Sequence, residues 1–511
     1  MSLAAWRAVS VIGRASVGFA MLLVAACGGG SGSTGAVTLV SIAAAPKSIS
    51  LNVGATQVLS VTGTYSNGAM ASVTTGLGFS SSATGVATVD ASGVVAGVAP
   101  GTAQIDVTDG MGGFSAAPVT VAVLASSAAN SLPVVVDQGP AVLVASGQTA
   151  TNTLFASATI CTPGSASACQ TIDHLQIDTG STGIQILSAV LTGAATTTPA
   201  SVNGAPLREC VQFADGYTWG SVVIADVQLG GRTIASLPIH LIGDAAAGTA
   251  PSSCSTGAGP AENTVAAFGA NGLIGVGNFL QDCGAYCATP PAPSAAYYAC
   301  PSSGCLPTTL AVTQQVQNPV AMLAADNNGI VIGLPSVGAP GAASVSGTLY
   351  FGVGTQADNA PSSAAFLTVD PATGTLITNF GGAALTGSVI DSGSNAYFFN
   401  DSSIAVCAIN SSFFCPVDGS GAPTNLALTA TLQGINGVTA AAPFTIGNAN
   451  SLFGAGANLT AFPTLGGPNG SVGGSITGFD WGLPFFFSRS VYILFEAHTA
   501  AATAGPAIGF D

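Results

Sequence analysis

The sequence predicts an all-β protein of more than one domain. Its 511 residues exceed the usual size of a single domain. Apolar residues make up 48% of the chain and charged residues only 5%, which permits a large core and is the reverse of a disordered composition. Short runs rich in Val, Ile and Thr alternate with Gly, Pro and Asn, the pattern of β-strands joined by turns.

The charge balance is strongly acidic. Six Lys and Arg residues oppose 21 Asp and Glu residues, for a net charge of −15. Phosphate binding requires clustered cations, so no nucleic-acid partner is expected. We interpret the acidity as a solubility feature of an exported protein, with adaptation to acidic surroundings as a second interpretation.

The first 27 residues have the pattern of a targeting segment. Arg7 and Arg14 precede an apolar stretch at residues 17–26, which is too short for an ordinary membrane span. The stretch leads into Val-Ala-Ala-Cys at residues 24–27, which resembles the lipobox of bacterial lipoproteins. An ordinary signal peptide with a chance cysteine is the alternative. Residues 28–36 are rich in Gly and Ser and predict a flexible tether.

The lipobox resemblance has consequences for location. It implies cleavage before Cys27 and a membrane anchor through the lipid on this cysteine. No Asp follows Cys27, which by analogy with the family favours the outer membrane, on either its periplasmic face or the cell surface.

Residues 37–125 form the first predicted domain. Turn signals at residues 67–68, 91–93 and 100–101 separate its strand-like runs, a spacing that suits a small β-sandwich. Segments such as residues 63–68 and 93–103 closely resemble the bacterial immunoglobulin-like group 2 domain. That resemblance implies a spacer or an adhesive module, and we interpret the domain as a spacer. A linker at residues 126–132 then precedes a large domain at 133–511.

A repeated motif indicates the chemistry of the large domain. Residues 177–181 read Ile-Asp-Thr-Gly-Ser and residues 390–394 read Ile-Asp-Ser-Gly-Ser. Asp178 and Asp391 lie 213 residues apart, which predicts two similar lobes. Two facing carboxyl groups share one proton, so that one can activate a water while the other polarises a peptide carbonyl.

Further segments, in the same order, resemble the pepsin-like aspartic proteases. They include a flap-like hairpin at 213–231, a hydrophobic–hydrophobic–glycine element at 272–277 and a C-terminal strand pair at 481–496. The resemblance implies a bilobal fold, with lobes at about 133–335 and 336–511, and an endopeptidase acting on peptide or protein substrates. It places Asp178 and Asp391 as the catalytic dyad, with these residues supporting them: Thr179, Gly180, Ser181, Ser392, Gly393 and Ser394.

Three departures from the family pattern favour a second interpretation. Phe213 stands at the position of the flap tyrosine, and it cannot donate the hydrogen bond of a phenol. Gln185 replaces a supporting tryptophan, and the second glycine element, taken as residues 482–484, ends in Pro484. The alternative is therefore a surface binding or structural lipoprotein that kept the protease fold without the reaction. Tyr217 and Trp219 are the other flap candidates, with ordinary hairpin packing as their alternative.

The histidines do not indicate a metal site. His174, His240 and His498 are scattered, and no His-Glu-x-x-His motif occurs. His174, four residues before Asp178, would share a strand face with it by parity, and we interpret it as structural. We expect no metal, no organic cofactor and a monomer.

The cysteines predict disulfides. Of the 11 cysteines, those other than Cys27 form an even set in an oxidising compartment. A zinc site is the alternative for the crowded loop at residues 283–305. The candidate local pairs are Cys161 with Cys169, Cys210 with Cys254 and Cys407 with Cys415, and Cys283, Cys287, Cys300 and Cys305 pair among themselves.

Overall fold

The computed structural model describes residues 37–511 except 53–55, 100, 111–112, 125–129, 194, 362–363, 457 and 470–477. The predicted targeting segment, Cys27 and the tether lie outside these residues. The described chain divides into two compact units, one up to residue 124 and the other from residue 130. No helix within the described ranges is long and apolar enough to cross a membrane.

The first unit is built from short strands. They are β1 Leu39–Ala45, β2 Ser48–Asn52, β3 Thr56–Val58, β4 Ser60–Tyr65, β5 Met70–Ser72, β6 Gly78–Ser81, β7 Ala87–Val89, β8 Val94–Gly97, β9 Gly101–Thr108 and β10 Val119–Leu124. They form three sheets, ordered β1-β4-β5, β2-β10-β9-β6 and β3-β8-β7. Alternate residues of β9, Ala103, Ile105 and Val107, are buried because successive side chains of a strand point to opposite faces.

The second unit is also dominated by strands, with a 17-stranded sheet and a 7-stranded sheet. The strands preceding residue 335 are β11 Ser131–Val136, β12 Leu154–Cys161, β13 Cys169–Asp178, β14 Thr182–Leu187, β15 Thr198–Pro199, β16 Ser201–Val202, β17 Ala205–Gln212, β18 Tyr217–Leu229, β19 Arg232–Ile242, β20 Gly272–Val276, β21 Tyr297–Ala299, β22 Leu306–Pro307 and β23 Gly329–Gly333.

The remaining strands form the second half of this unit. They are β24 Val345–Phe351, β25 Leu367–Thr368, β26 Leu376–Phe380, β27 Ala383–Ile390, β28 Tyr397–Phe398, β29 Leu426–Gln433, β30 Thr439–Ile446, β31 Gly466–Gly467, β32 Asp480–Trp481, β33 Ser490–Leu494, β34 Thr499–Ala500, β35 Thr503–Ala504 and β36 Ala507–Phe510.

Helices are few and short. The α-helices are α1 Ala141–Ala145, α2 Ser252–Ser255, α3 Val265–Phe268, α4 Ala285–Ala288 and α5 Ala449–Gly454. Single 3-10 turns cover Ser188–Val190, Val312–Gln314, Ala357–Asn359 and Leu483–Phe486.

A shared sheet joins the two halves of the second unit, which we call lobe one and lobe two. Strand β11 pairs with β12 of lobe one and also with β24 of lobe two. Strand β23 continues the sheet between β24 and β33, and β36 lies between β33 and β25. Both ends of the unit therefore lie in the sheet that connects the lobes.

Each lobe repeats one strand arrangement around its Asp-Thr/Ser-Gly loop. In lobe one β13 pairs in parallel with β20, placing Asp178 opposite Gly275, and β14 returns antiparallel to β20. In lobe two β27 pairs in parallel with β32, and β28 returns antiparallel to β32. A Cβ on Gly275 would collide with the backbone of the returning strand, and the same is true of Gly482.

The register in lobe two corrects one prediction from the sequence. Ile390 lies opposite Trp481, as Ile177 lies opposite Ile274 in lobe one. The second glycine element is therefore residues 480–482, Asp-Trp-Gly, and not residues 482–484. Pro484 instead lies in the first turn of a 3-10 helix, where a missing N–H is tolerated.

Five disulfides close local loops of the second unit. The crowded loop is held by two short bridges, and no group of metal-binding side chains occurs in the part of the chain that is described. The bridges are Cys161–Cys169, Cys210–Cys254, Cys283–Cys287, Cys300–Cys305 and Cys407–Cys415.

Candidate active site

Asp178 and Asp391 meet at the junction of the two lobes. Asp178 is the last residue of β13, and Asp391 follows directly after β27. Both are buried, with 0% and 1% of their surface exposed. The sequence motif thus places each carboxyl group at the end of a buried strand, where the following glycine allows the chain to turn.

A reciprocal cross-brace fixes the two loops against each other. The Thr179 hydroxyl donates to Ile390 O at 3.1 Å and accepts from Ser392 N–H at 2.9 Å. The Ser392 hydroxyl donates to Ile177 O at 2.8 Å and accepts from Thr179 N–H at 3.2 Å. Each side chain therefore satisfies one backbone donor and one backbone acceptor of the opposite lobe.

The oxygens of each carboxyl group receive equivalent donors. Asp178 accepts from Gly180 N–H at 2.9 Å and from the Ser181 hydroxyl at 2.6 Å. In lobe two Asp391 accepts from Gly393 N–H at 2.8 Å and from the Ser394 hydroxyl at 2.9 Å. These four contacts, two in each lobe, hold the plane of each carboxyl group.

The two carboxyl groups interact directly. Burial, followed by the charge of Asp178 and a hydrogen bond with its carboxyl group, raises the pKa of Asp391 well above the usual range. A proton shared between the two groups belongs to the pair as a whole. The arrangement can therefore hold one ionised and one protonated carboxyl group at once, as general base and general acid.

A cavity of about 420 Å³ adjoins the dyad. Lobe one contributes the motif loop and a loop after β20 that includes Asp282 and Tyr286, while lobe two contributes Val389, Asp391 and a turn at residues 371–374. The site is thus open to a ligand that lies between the lobes.

The flap candidates occupy a hairpin of lobe one. Phe213 and Gly216 close its tip through a backbone hydrogen bond of 2.7 Å. Phe213 is buried and packs edge-on against Phe268 at 6.3 Å between ring centroids. None of the three flap candidates lines the cavity.

Hairpin packing accounts for the other two flap candidates, Trp219 and Tyr217. Trp219 is buried in β18, donates from its indole N–H to Ala247 O at 3.2 Å and packs edge-on against Tyr298. The interpretation of Trp219 as a tip residue above the cleft is therefore wrong. Tyr217 pairs with the adjacent segment through backbone bonds to Pro260 and Glu262.

Gln185 is engaged inside lobe one. Its side-chain oxygen accepts from the Thr218 hydroxyl at 3.1 Å. Gln185, which stands where the pepsin-like proteases often have a tryptophan, thus makes a polar contact between β14 and β18.

His174 does not share the face of Asp178. The pairing of β12 with β13 shifts register at this point, and His174 has a φ of 47°, so parity is broken by a bulge. Burial lowers the pKa of His174, but hydrogen bonds and charge from Asp137 and Asp173 outweigh burial and raise it to about 9. The residue is structural.

A third carboxyl group near the dyad was missed by the sequence analysis. Asp480 is completely buried, and Ser394 Oγ lies 2.6 Å from its Oδ2 atom. The available signal was a lone carboxyl group in the aromatic run Phe479-Asp480-Trp481. A charged residue is almost never fully buried without a specific partner.

A second missed group lies in the wall of lobe one. Glu209 on β17 is buried and faces Asp282, whose Oδ1 accepts from the Tyr297 hydroxyl at 2.7 Å. Burial raises the pKa of both carboxyl groups, that of Asp282 to about 6. His240 Nδ1 lies 3.4 Å from Glu209 Oε2, and burial lowers its pKa to about 3, so it is neutral.

The fold and the paired loops define the class of the second unit as an all-β fold of two lobes, each with one Asp-Thr/Ser-Gly loop, and the smaller all-β unit precedes it in the chain. A crystal structure of an aspartic proteinase from Irpex lacteus is similar over 74% of this chain and 96% of that chain, with 15% identity and a TM-score of 0.43.

Residues 126–510 match the family described as protein of unknown function (DUF3443), and the chain belongs to that family. Residues 36–121 match the bacterial Ig-like domain (group 2). No curated protein matches the sequence.

Proposed function

We propose that the second unit is an aspartic endopeptidase that hydrolyses peptide bonds with Asp178 and Asp391. The observation that carries the proposal is the pair of buried carboxyl groups, held face to face by the cross-brace of Thr179 and Ser392. Burying two carboxyl groups beside each other is unfavourable for stability, so their closeness indicates a chemical use.

The chemistry follows from one proton on the pair. The ionised carboxyl group takes a proton from a water, which attacks the peptide carbonyl carbon. The protonated carboxyl group donates to the carbonyl oxygen, and the resulting tetrahedral intermediate collapses as the amide nitrogen is protonated and the C–N bond breaks. The hydroxyls of Ser181 and Ser394 keep the carboxyl planes fixed while the proton moves.

An extended peptide is the ligand class that suits the cavity. Its walls come from both lobes, and its volume of about 420 Å³ can accept side chains beside the scissile bond. A chain that passes between two lobes is bound at an internal bond, so cleavage within a chain is expected.

We further propose export and anchoring through a lipid on Cys27. Five disulfides support an oxidising compartment, and the lipobox-like sequence supports the anchor. Metabolic labelling with a radioactive fatty acid should mark the protein, and Cys27→Ala should lose both the label and the outer-membrane association. Equal labelling of that variant would refute the anchor.

One observation favours a second candidate function, a binding protein without catalysis. The flap phenylalanine, Phe213, packs inward against Phe268, so no phenol is offered to a ligand in the cleft. Such a protein would bind a peptide in the same cavity and release it intact.

Cleavage of a mixed peptide library by the purified protein separates the two candidates. We expect cleavage between acid and neutral pH, with a loss on the order of 10²–10⁴-fold in Asp178→Asn and in Asp391→Asn. Asp418→Asn, at an exposed turn of lobe two, is the matched control and should keep the activity. Absence of cleavage by the folded protein at every pH, or cleavage that survives both dyad substitutions, would favour the binding protein.

A further inference from the structure

Asp480 is joined to the dyad by a single hydroxyl group. Ser394 Oγ lies 2.9 Å from Asp391 Oδ2 and 2.6 Å from Asp480 Oδ2. Both distances are within the range of a hydrogen bond, and all three residues are buried. Asp480 lies in β32, opposite Val389 on one side and Phe398 on the other.

The number of protons that Ser394 can supply shows that one of the two acids is protonated. A serine hydroxyl carries one proton, so it cannot donate to two carboxylates at once. One of the two acids must therefore be protonated and donate to Ser394 Oγ. The other oxygen of Asp391 accepts from Gly393 N–H at 2.8 Å, so both of its oxygens have a donor, whereas Asp480 Oδ1 has no hydrogen-bond partner among the described residues.

The charges around Asp480 also favour its protonated form. Those that act on it within the described chain are the carboxyl groups of Asp391 and Asp178. Arg489, a cation of lobe two, is not among them, and it donates to the backbone oxygens of Phe485 and Pro443. Burial, followed by the charge of Asp391, raises the pKa of Asp480 well above the usual range.

Lobe one shows that the fold does not require an acid here. The register of β13 with β20 and of β27 with β32 makes Leu273 the counterpart of Asp480. Ser181 accordingly donates to Asp178 alone, at 2.6 Å. A leucine completes the same strand arrangement, so the carboxyl group in lobe two adds a chemical property to the site.

We propose that Asp480 is a third, protonated carboxyl group of the catalytic centre, which fixes the Ser394 proton on Asp391 and limits activity at high pH. The proposal rests on the proposed peptidase function. Asp480 donates to Ser394, and Ser394 in turn donates to Asp391. Loss of the Asp480 proton turns the Ser394 hydroxyl away from Asp391 and places another negative charge beside the dyad.

The direction of the pH effect follows from this linkage. In the active state the three carboxyl groups hold two protons, one on the dyad and one on Asp480. As the pH rises, the wild type can lose either of these two protons. Its first deprotonation therefore occurs at a lower pH than the deprotonation of the dyad in a variant that lacks the acid at position 480. Removing the acid at position 480 leaves only the dyad proton to lose.

The test compares pH profiles of kcat/KM for the full-length protein and its variants. Asp480→Asn keeps a donor to Ser394 but cannot ionise, and Asp480→Leu copies lobe one. We expect the alkaline limb to move up by about one pH unit in both. Alkaline limbs that coincide with that of the wild type in both folded variants would overturn the proposal.

The relay itself is tested with the two serines. In a Ser394→Ala background, Asp480→Asn should shift the alkaline limb far less, because the link to Asp391 is already cut. In a Ser181→Ala background the full shift should remain. An equal shift in both backgrounds would contradict a connection through Ser394.

A second readout does not depend on peptidase activity. Because the dyad, Glu209 and Asp282 also hold protonated carboxyl groups, the band of Asp480 is identified as the carbonyl band of a buried protonated carboxyl group that the wild-type infrared spectrum contains and the spectrum of Asp480→Asn lacks. Ser394→Ala should change its frequency, whereas Ser181→Ala should not. If library cleavage fails but this band is present, the proposed peptidase function fails alone. If the band is absent, the third protonated carboxyl group is refuted.

Discussion

The two lobes build the same loop with different chemistry behind it. In lobe one the hydroxyl of Ser181 has a single carboxyl acceptor, and an apolar residue, Leu273, stands at the strand position that Asp480 takes in lobe two. In lobe two the hydroxyl of Ser394 connects two carboxyl groups. The comparison teaches that the geometry of the dyad is nearly twofold, whereas its electrostatics are one-sided.

Lobe one has an asymmetry of its own in the cavity wall. Glu209 is completely buried, and its partner Asp282 is half-buried in the cavity wall. Each lobe thus adds a buried carboxyl arrangement outside the common motif. The following predictions test which features are common to the lobes and which belong to one.

The cross-brace is the feature that the lobes share most closely. The double variant Thr179→Val/Ser392→Ala leaves four backbone groups without these partners, so we expect the free energy of unfolding to fall by at least about 4 kcal/mol. Library cleavage should become undetectable, because the carboxyl groups lose their alignment. Chemical denaturation and the cleavage assay measure the two effects.

The single variants then test the symmetry. Thr179→Val and Ser392→Ala should each cost about half of the double effect, and Ser392→Thr, which keeps a hydroxyl, serves as the control. If only one of these two variants lowers the free energy of unfolding, the cross-brace depends on the side chain of one lobe and the expected symmetry is refuted.

The buried pair of lobe one should make stability fall as pH rises. Burial raises the pKa of Asp282 to about 6. A carboxyl group whose folded pKa exceeds its unfolded value stabilises the fold below the unfolded value, near about 4, and this contribution is lost as pH rises through about 6. We expect urea denaturation to show about 3 kcal/mol less stability at neutral pH than at acid pH from this group.

Asp282→Asn is the variant that isolates this effect. It should lower the pH dependence of unfolding relative to the wild type, and Glu209→Gln should do the same because the two groups are coupled. Parallel stability curves for wild type and both variants would contradict the assignment.

The smallest effect concerns the hairpin tip of lobe one. Phe213→Tyr places a hydroxyl in an apolar cluster with Phe268 and Val265, which should cost about 1–2 kcal/mol in thermal or chemical unfolding. Little change in kcat/KM is expected, because Phe213 does not line the cavity. A gain of about tenfold would instead indicate that the tip turns to face the substrate.

Contiguous patterns were readable from the sequence, and tertiary registers were not. The two Asp-Thr/Ser-Gly loops are local motifs, so their residues could be named, and the meeting of their carboxyl groups predicted, before the fold was known. The second glycine element was misplaced by two residues, because Gly478 and Gly482 flank several candidate registers. Only the pairing of Ile390 with Trp481 selects one of them.

The buried acids depended on packing that no local pattern contains. Glu209 and Asp282 lie on separate elements, a strand and a loop, and they meet only when lobe one folds. The parity argument for His174 failed because a bulge changed the face of the strand. Sequence periodicity describes regular strands, so it fails where the strand is interrupted.

The shared sheet has a consequence for when the cavity is completed during synthesis. Strand β36 pairs with β33 and β25, and Ile508 contributes to the cavity beside the dyad. A nascent chain that stops short of this strand has both aspartates but lacks one wall of the cavity. The cavity between the two aspartate loops is therefore complete only after residues 507–510 have been synthesised and have paired with β33 and β25.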